Sequence, residues 1–204
     1  FPDASKDFLR SQAYLLKSLY ASKDKLRFNK LLISLISSGE TNALIGSFCS
    51  RAKINLNLNI ENPFCSEPLE YVSHDSLLAD YDFESIFVKP AEHMLKAENT
   101  SIKSQNLLVN AQQTAGNIFS TDSSFSKKIG NIIDAELQRY RANFSNSKEG
   151  FLLNWPAEYS LFGWIISYKT GGSIKPHIHE NGWLSGSIYI NIPESSGPDD
   201  GSLF

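Results

Sequence analysis

Early in the chain apolar residues recur at three- and four-residue spacing: Phe8, Leu9, Leu15, Leu16 and Leu19, then Leu31, Leu32, Leu35 and Ile36. That period predicts helices across residues 5–52. Ser37-Ser38-Gly39 interrupts it, and Thr41 or Asn42 offers the side-chain oxygen that caps a further helix through Ala52. The expected product is two or three packed helices, either a hairpin or the last units of a helical array. Packing or partner binding is the role such helices take, since none of their residues carries recognisable chemistry.

The pattern changes over residues 53–66, where Asn55-Leu56-Asn57-Leu58-Asn59-Ile60 alternates strictly before Glu61-Asn62-Pro63-Phe64-Cys65. Alternation followed by proline predicts a short extended piece running into a loop, and a domain boundary. Leu69-Glu70-Tyr71-Val72 and Ser85-Ile86-Phe87-Val88-Lys89-Pro90 read as short segments, the second more strand-like. Leu107-Leu108-Val109 leads into amide-rich Asn110-Ala111-Gln112-Gln113-Thr114-Ala115-Gly116-Asn117-Ile118-Phe119, read as a loop laid against the core. The clearest helix follows. Phe125, Ile129, Ile132, Ile133, Leu137 and Tyr140 form one apolar stripe, with Ser123 or Ser124 as its cap and Asp122 at its positive end.

Residues 144–150 are polar and end in Gly150, which predicts a loop. Phe162-Gly163-Trp164-Ile165-Ile166-Ser167-Tyr168 is aromatic and β-branched, hence a strand, and Thr170-Gly171-Gly172-Ser173 is a turn. A last strand is expected after residue 182. Trp183, Ser185, Ser187, Tyr189 and Asn191 fall on one face, with Leu184, Ile188, Ile190 and Ile192 on the other. A sheet with one face in water gives this pattern, and so does a strand whose polar face lines a cavity inside a barrel.

Composition sets outer limits. The chain has 204 residues, 41% hydrophobic and 20% charged, an ordinary globular balance with enough length for a sizeable core. A net charge of −3 gives no nucleic-acid surface, and no apolar run approaches the ~20 residues that span a bilayer. Phe1-Pro2-Asp3-Ala4-Ser5 shows neither a signal peptide nor an initiator methionine. Cys49 and Cys65 match no zinc or redox spacing, and idle thiols of a reducing compartment are the simplest reading. Asn99-Thr100-Ser101 and Asn143-Phe144-Ser145 fit the glycosylation sequon by chance on that reading, and a cytoplasmic protein is expected.

The chemistry sits in Pro176-His177-Ile178-His179-Glu180-Asn181-Gly182-Trp183. In an extended backbone residues i and i+2 share a face, so His177 and His179 can direct two imidazoles at one point. That is a metal-ligand arrangement, although the same pair alone also reads as surface histidines. His74 and His93 have no partner at a ligand spacing and are expected to be surface or hydrogen-bonding residues.

Several motifs in order carry a resemblance. They are residues 112–119, the helix of residues 125–140, Trp164, Gly171-Gly172, Pro176-His177-Ile178-His179, and Gly182-Trp183-Leu184-Ser185-Gly186-Ser187-Ile188-Tyr189-Ile190-Asn191-Ile192-Pro193. Together they resemble a bacterial and phage branch of the 2-oxoglutarate/Fe(II)-dependent oxygenases, over residues 71–204 closely and over the N-terminal part loosely. Members of that branch often follow tetratricopeptide-type helical units. The resemblance implies an α+β protein. A helical segment, residues 1–60, would precede a partial double-stranded β-helix (jelly-roll, cupin-like) over residues 61–204.

It also implies an Fe(II)- and 2-oxoglutarate-dependent dioxygenase, with 2-oxoglutarate and dioxygen as small-molecule partners. The helices would offer a surface to a protein partner. Such iron is held by His-x-Asp/Glu and a distal histidine, leaving positions for co-substrate and dioxygen. His177 matches the first ligand and His179 stands in the carboxylate's place. Tyr189 and Tyr168 resemble tyrosines that hydrogen-bond the co-substrate. No histidine and no co-substrate-pairing base follow in their expected places, so the domain is expected to be incomplete at its C-terminus. Two other classes fit the same residues: a β-helix scaffold without competent metal, and a cupin-like metal enzyme that uses no 2-oxoglutarate.

Overall fold

The computed structural model describes residues 4–97, 102–103, 105–120, 123–192 and 197. Its helices are α1 (Ala4–Ala21), α2 (Lys25–Ser37), α3 (Ala43–Leu56), α4 (Lys89–Lys96), α5 (Ser124–Asn143) and the single turn α6 (Gly150–Leu153). Three antiparallel strands, β1 (Ile102–Lys103), β2 (Leu108–Thr114) and β3 (Ile166–Ile174), lie in that order in one sheet. The expectations placed on residues 1–3, 99–101, 122, 193 and 199–204 lie outside the described residues. No described helix is long and apolar enough to cross a membrane.

The chain forms two units. One contains Phe1–Val72, Phe144–Ala157 and Ile178–Ser185; the other contains Ser73–Asn143, Glu158–His177 and Gly186–Phe204. The stretch around the two histidines is therefore divided, with His177 in the second unit and His179 in the first.

In the first unit the helical period holds. Leu16 and Leu19 of α1, Phe28, Leu32 and Leu35 of α2, and Ile45, Phe48, Cys49 and Ala52 of α3 form one buried cluster. The rings of Phe28 and Phe48 meet edge to face at 5.7 Å. Asn42 caps α3, accepting from the Ile45 N–H at 3.0 Å, and Asp24 caps α2 by accepting from Arg27. α3 runs on to Leu56, four residues past the expected end, and stops where Asn57 turns left-handed at φ 51°. Leu58 and Ile60 of the alternating stretch then pack onto the helical core. Asn62 anchors the following corner. Its amide donates to the Gly46 carbonyl at 3.0 Å, while its carbonyl oxygen accepts from the N–H groups of Phe64 and Cys65.

In the second unit α5 has the expected stripe and cap. Ile129 and Ile132 are buried, and the Ser123 hydroxyl accepts from the Ser126 N–H at 3.0 Å. Three expectations fail here. Residues 85–90 are not a strand but a π-helical turn, Glu84–Val88, leading into α4 with Pro90 in its first turn. Ile86 and Phe87 are consecutive and both buried, which a strand with one covered face cannot achieve and a helical turn can. Residues 110–114 of the expected loop are not a loop but part of strand β2, whose amide-rich composition hid the ladder. Gln113 and Thr114 are buried there with partners: Gln113 accepts from Gln105, and Thr114 Oγ1 accepts from the Ile165 N–H at 3.1 Å.

β3 begins later than expected and continues through the predicted turn Thr170-Gly171-Gly172-Ser173. The register jumps from Val109 opposite Ser173 to Ala111 opposite Tyr168, so the glycines form a bulge and not a chain reversal. Gly171 has φ +71°, and a Cβ on Gly172 would stand 2.7 Å from the Lys169 carbonyl oxygen.

The last predicted strand is corrected too. Residues 183–192 join no ladder among the described residues. Part of the alternation survives without one: Ile188 and Ile190 pack on the cluster of Ile86, Phe87, Ile129 and Ile132, while Tyr189 is half exposed. A buried-face pattern says which side is covered and not what pairs with the backbone. The described fold is thus a mixed helical one with a small antiparallel sheet, and a jelly roll is not among its described elements.

Candidate functional site

β3 delivers Tyr168 and then, through Lys175-Pro176, His177. The backbone entering this stretch is tied to the sheet by the Lys175 N–H donating to the Leu107 carbonyl at 2.9 Å. His177 is exposed, and its Nδ1 lies 2.9 Å from the Lys175 carbonyl oxygen. A carbonyl only accepts, so Nδ1 carries the proton in this contact, and only Nε2 is left as a position for a ligating lone pair. Metal-binding histidines are commonly oriented in this way, by a backbone acceptor on the other nitrogen.

Tyr168 lies opposite Ala111 in the ladder and Tyr189 lies on the stretch of residues 186–192, outside any strand. Both are about half exposed, at 47% and 50%. Partial burial, and next the Tyr189 phenol nearby, raise the Tyr168 hydroxyl above its ordinary pKa. The two hydroxyls therefore belong to one neighbourhood of this unit, and the raised pKa keeps Tyr168 a donor that an anionic ligand can use.

His179 belongs to the other unit. It opens a turn in which the Gly182 N–H donates to the His179 carbonyl at 2.8 Å, and its Nδ1 meets Ser185 Oγ at 3.0 Å. Glu180, directed away from a ligand role by its place in the sequence pattern, forms an ion pair with Lys17. The Trp183 indole N–H donates to the Phe151 carbonyl at 2.9 Å. His74 and His93 are exposed.

Ser185 and the Lys175 carbonyl are hydrogen-bond partners of the two histidines that the residue pattern did not reveal. Both act through short-range geometry, six residues after His179 and two before His177, which only a known backbone path makes visible. Among the described residues no group of three His, Cys, Asp or Glu side chains is placed to hold a metal ion. The donor chemistry fits an imidazole ligand at His177, but the described residues do not complete a three-ligand iron site.

Comparison with known proteins gives one family. Residues 163–202 match the family described as "Putative 2OG-Fe(II) oxygenase", a stretch that contains Tyr168, His177, His179 and Tyr189. No curated protein and no solved structure matches the chain. Over residues 163–202 the chain is similar to that family.

Proposed function

We propose that this segment is the metal- and co-substrate-binding part of an Fe(II)/2-oxoglutarate-dependent dioxygenase. The observation that carries the proposal is the coincidence of the family match with a His177 ring whose Nδ1 is held by the Lys175 carbonyl. In this reading His177 is one metal ligand. His179, in the carboxylate's place of the family pattern, is a second, on the strength of the i, i+2 spacing. Tyr168 and Tyr189 would donate hydroxyl hydrogens to the 2-oxoglutarate carboxylate. When bound, iron supplies the oxidising chemistry that couples 2-oxoglutarate decarboxylation to oxidation of a substrate. The residues described have narrower tasks: presenting imidazole nitrogens and donating phenol hydroxyls to an anion. Two imidazoles in place of one imidazole and one carboxylate would leave the site one negative charge short, which would shift metal preference or weaken the hold on iron.

Metal loading tests the proposal. The purified chain is expected to bind Co(II) with visible d–d absorption that His177→Ala abolishes, and the metal-loaded chain to bind 2-oxoglutarate. Absence of metal uptake by the unaltered chain would overturn it. A second reading has its own observation, the imidazole of His179 where the family pattern has a carboxylate: a binding module that keeps the family segment without competent metal. No metal uptake supports that module, while metal uptake without 2-oxoglutarate dependence supports a cupin-like metal enzyme.

A further inference from the structure

We infer that Trp183 and Lys17 are positioning residues that fasten the loop Ile178–Ser185, and with it the His179 ring, to the helices of its own unit. Trp183 is held in two ways. Its indole N–H donates to the Phe151 carbonyl at 2.9 Å, and its ring stands edge-on to Phe64 with centroids 5.1 Å apart. That platform is itself fixed. Phe64 and Phe151 are both buried, their rings lie 5.7 Å apart, and the Phe151 N–H donates to the Phe64 carbonyl at 2.8 Å. Tyr71 closes the cluster edge-on to Phe151 at 5.2 Å.

The loop's other tie is ionic. Glu180 pairs with Lys17 of α1, and the Lys17 ammonium also lies 5.3 Å from the Tyr14 ring centroid. Between the two ties the Gly182-to-His179 hydrogen bond closes the turn, and Ser185 meets the His179 ring. An exposed loop without such contacts opens at little free-energy cost. With them, a ring outside the buried core is kept in one orientation, the condition a ligand or catalytic group requires. The helical part of the chain is therefore the support of this loop. The anchoring stands on these contacts alone, and its bearing on metal binding rests on the oxygenase reading.

Amide hydrogen exchange over residues 178–185 and the His179 ring ¹H–¹³C signal read the anchor directly. Trp183→Phe keeps an aromatic ring, though a smaller one, and removes the donor; about tenfold faster exchange is expected. Lys17→Glu removes the half-exposed ion pair; about fivefold faster exchange is expected. Both variants should move the His179 signal and leave those of His74 and His93 in place, and Lys17→Glu combined with Glu180→Lys should restore exchange and signal together. Unchanged exchange and an unmoved His179 signal in both variants would overturn the inference. So would a loss of protection in Trp183→Phe spread evenly across α1–α3, which marks a residue of the general fold. None of these readouts uses a metal. A chain that fails to bind Co(II) therefore removes the oxygenase reading and leaves the anchor to be judged separately.

Discussion

Helices α1–α3 and the stretch of residues 186–192 carry hydrophobic patterns of comparable regularity, and only the helices became regular structure. Leu16, Phe28 and Leu32 are fully buried, whereas Tyr189 and Ile192 are 50% and 60% exposed. A helix satisfies its backbone within itself, so a correct period and a cap suffice to form it. A strand's N–H and C=O groups need another strand at ladder distance, which no local pattern can guarantee. The difference separates two kinds of information in one chain: what a segment buries, and with what it pairs.

The strongest way to test that separation is Phe28→Ala. Emptying a site of 0% exposure between α1 and α3 is expected to cost about 3–5 kcal/mol, read as a lowered urea midpoint. A loss below about 1 kcal/mol would mean that the three-helix cluster is loosely packed.

Next in size is an alkaline effect within the same cluster. Burial pushes the Cys49 thiol from an ordinary 9.0 up to about 11, so the fold favours the protonated form. The associated stability is complete below pH 9 and is lost as pH rises through about 11, by about 2 kcal/mol. Burial acts in the same direction on Cys65, with the Glu149 carboxylate adding to it. Unfolding followed between pH 8 and 11 is expected to show this fall, and Cys49→Ala to flatten its share. An unaltered slope in that variant would assign the loss to other groups.

Asn42→Ala should cost about 1 kcal/mol by leaving the Ile45 N–H without its cap, a purely local loss. The smallest effect belongs to the other region. Ile192→Ala, at 60% exposure, is expected to change stability by no more than about 0.5 kcal/mol. A loss as large as that of Phe28→Ala would erase the contrast between the regions and show Ile192 packed in solution.

Much of the chain was legible where neighbours in sequence decide the structure. The Asn42 cap, the break at Ser37-Ser38-Gly39 and the buried stripe of α5 follow from period and side-chain hydrogen bonding alone. The candidates for chemistry are a matter of sequence as well: His177 and His179 stand out by type and spacing, Tyr168 and Tyr189 by resemblance, and the family match falls on the same stretch. Elements fixed by distant partners were not legible. β2 looked like a loop because Gln112, Gln113 and Thr114 are polar, yet β3 and the Gln105 amide satisfy their neighbourhood. The apolar run at residues 85–88 looked like a strand, yet burying Ile86 and Phe87 against Ile129 and Ile132 of α5 required a helical turn.

By itself, then, the order of residues determined the helices, their caps and the candidates for ligand binding, because those depend on atoms a few residues apart. Tertiary structure alone decided that the glycines after Tyr168 make a bulge inside a strand, that Lys175 sets the proton on His177, and that Lys17 and Phe151 hold the loop of His179. Each of these joins groups through the folded backbone, and the reach of such a contact is set by where the chain has travelled and not by what stands beside it in sequence.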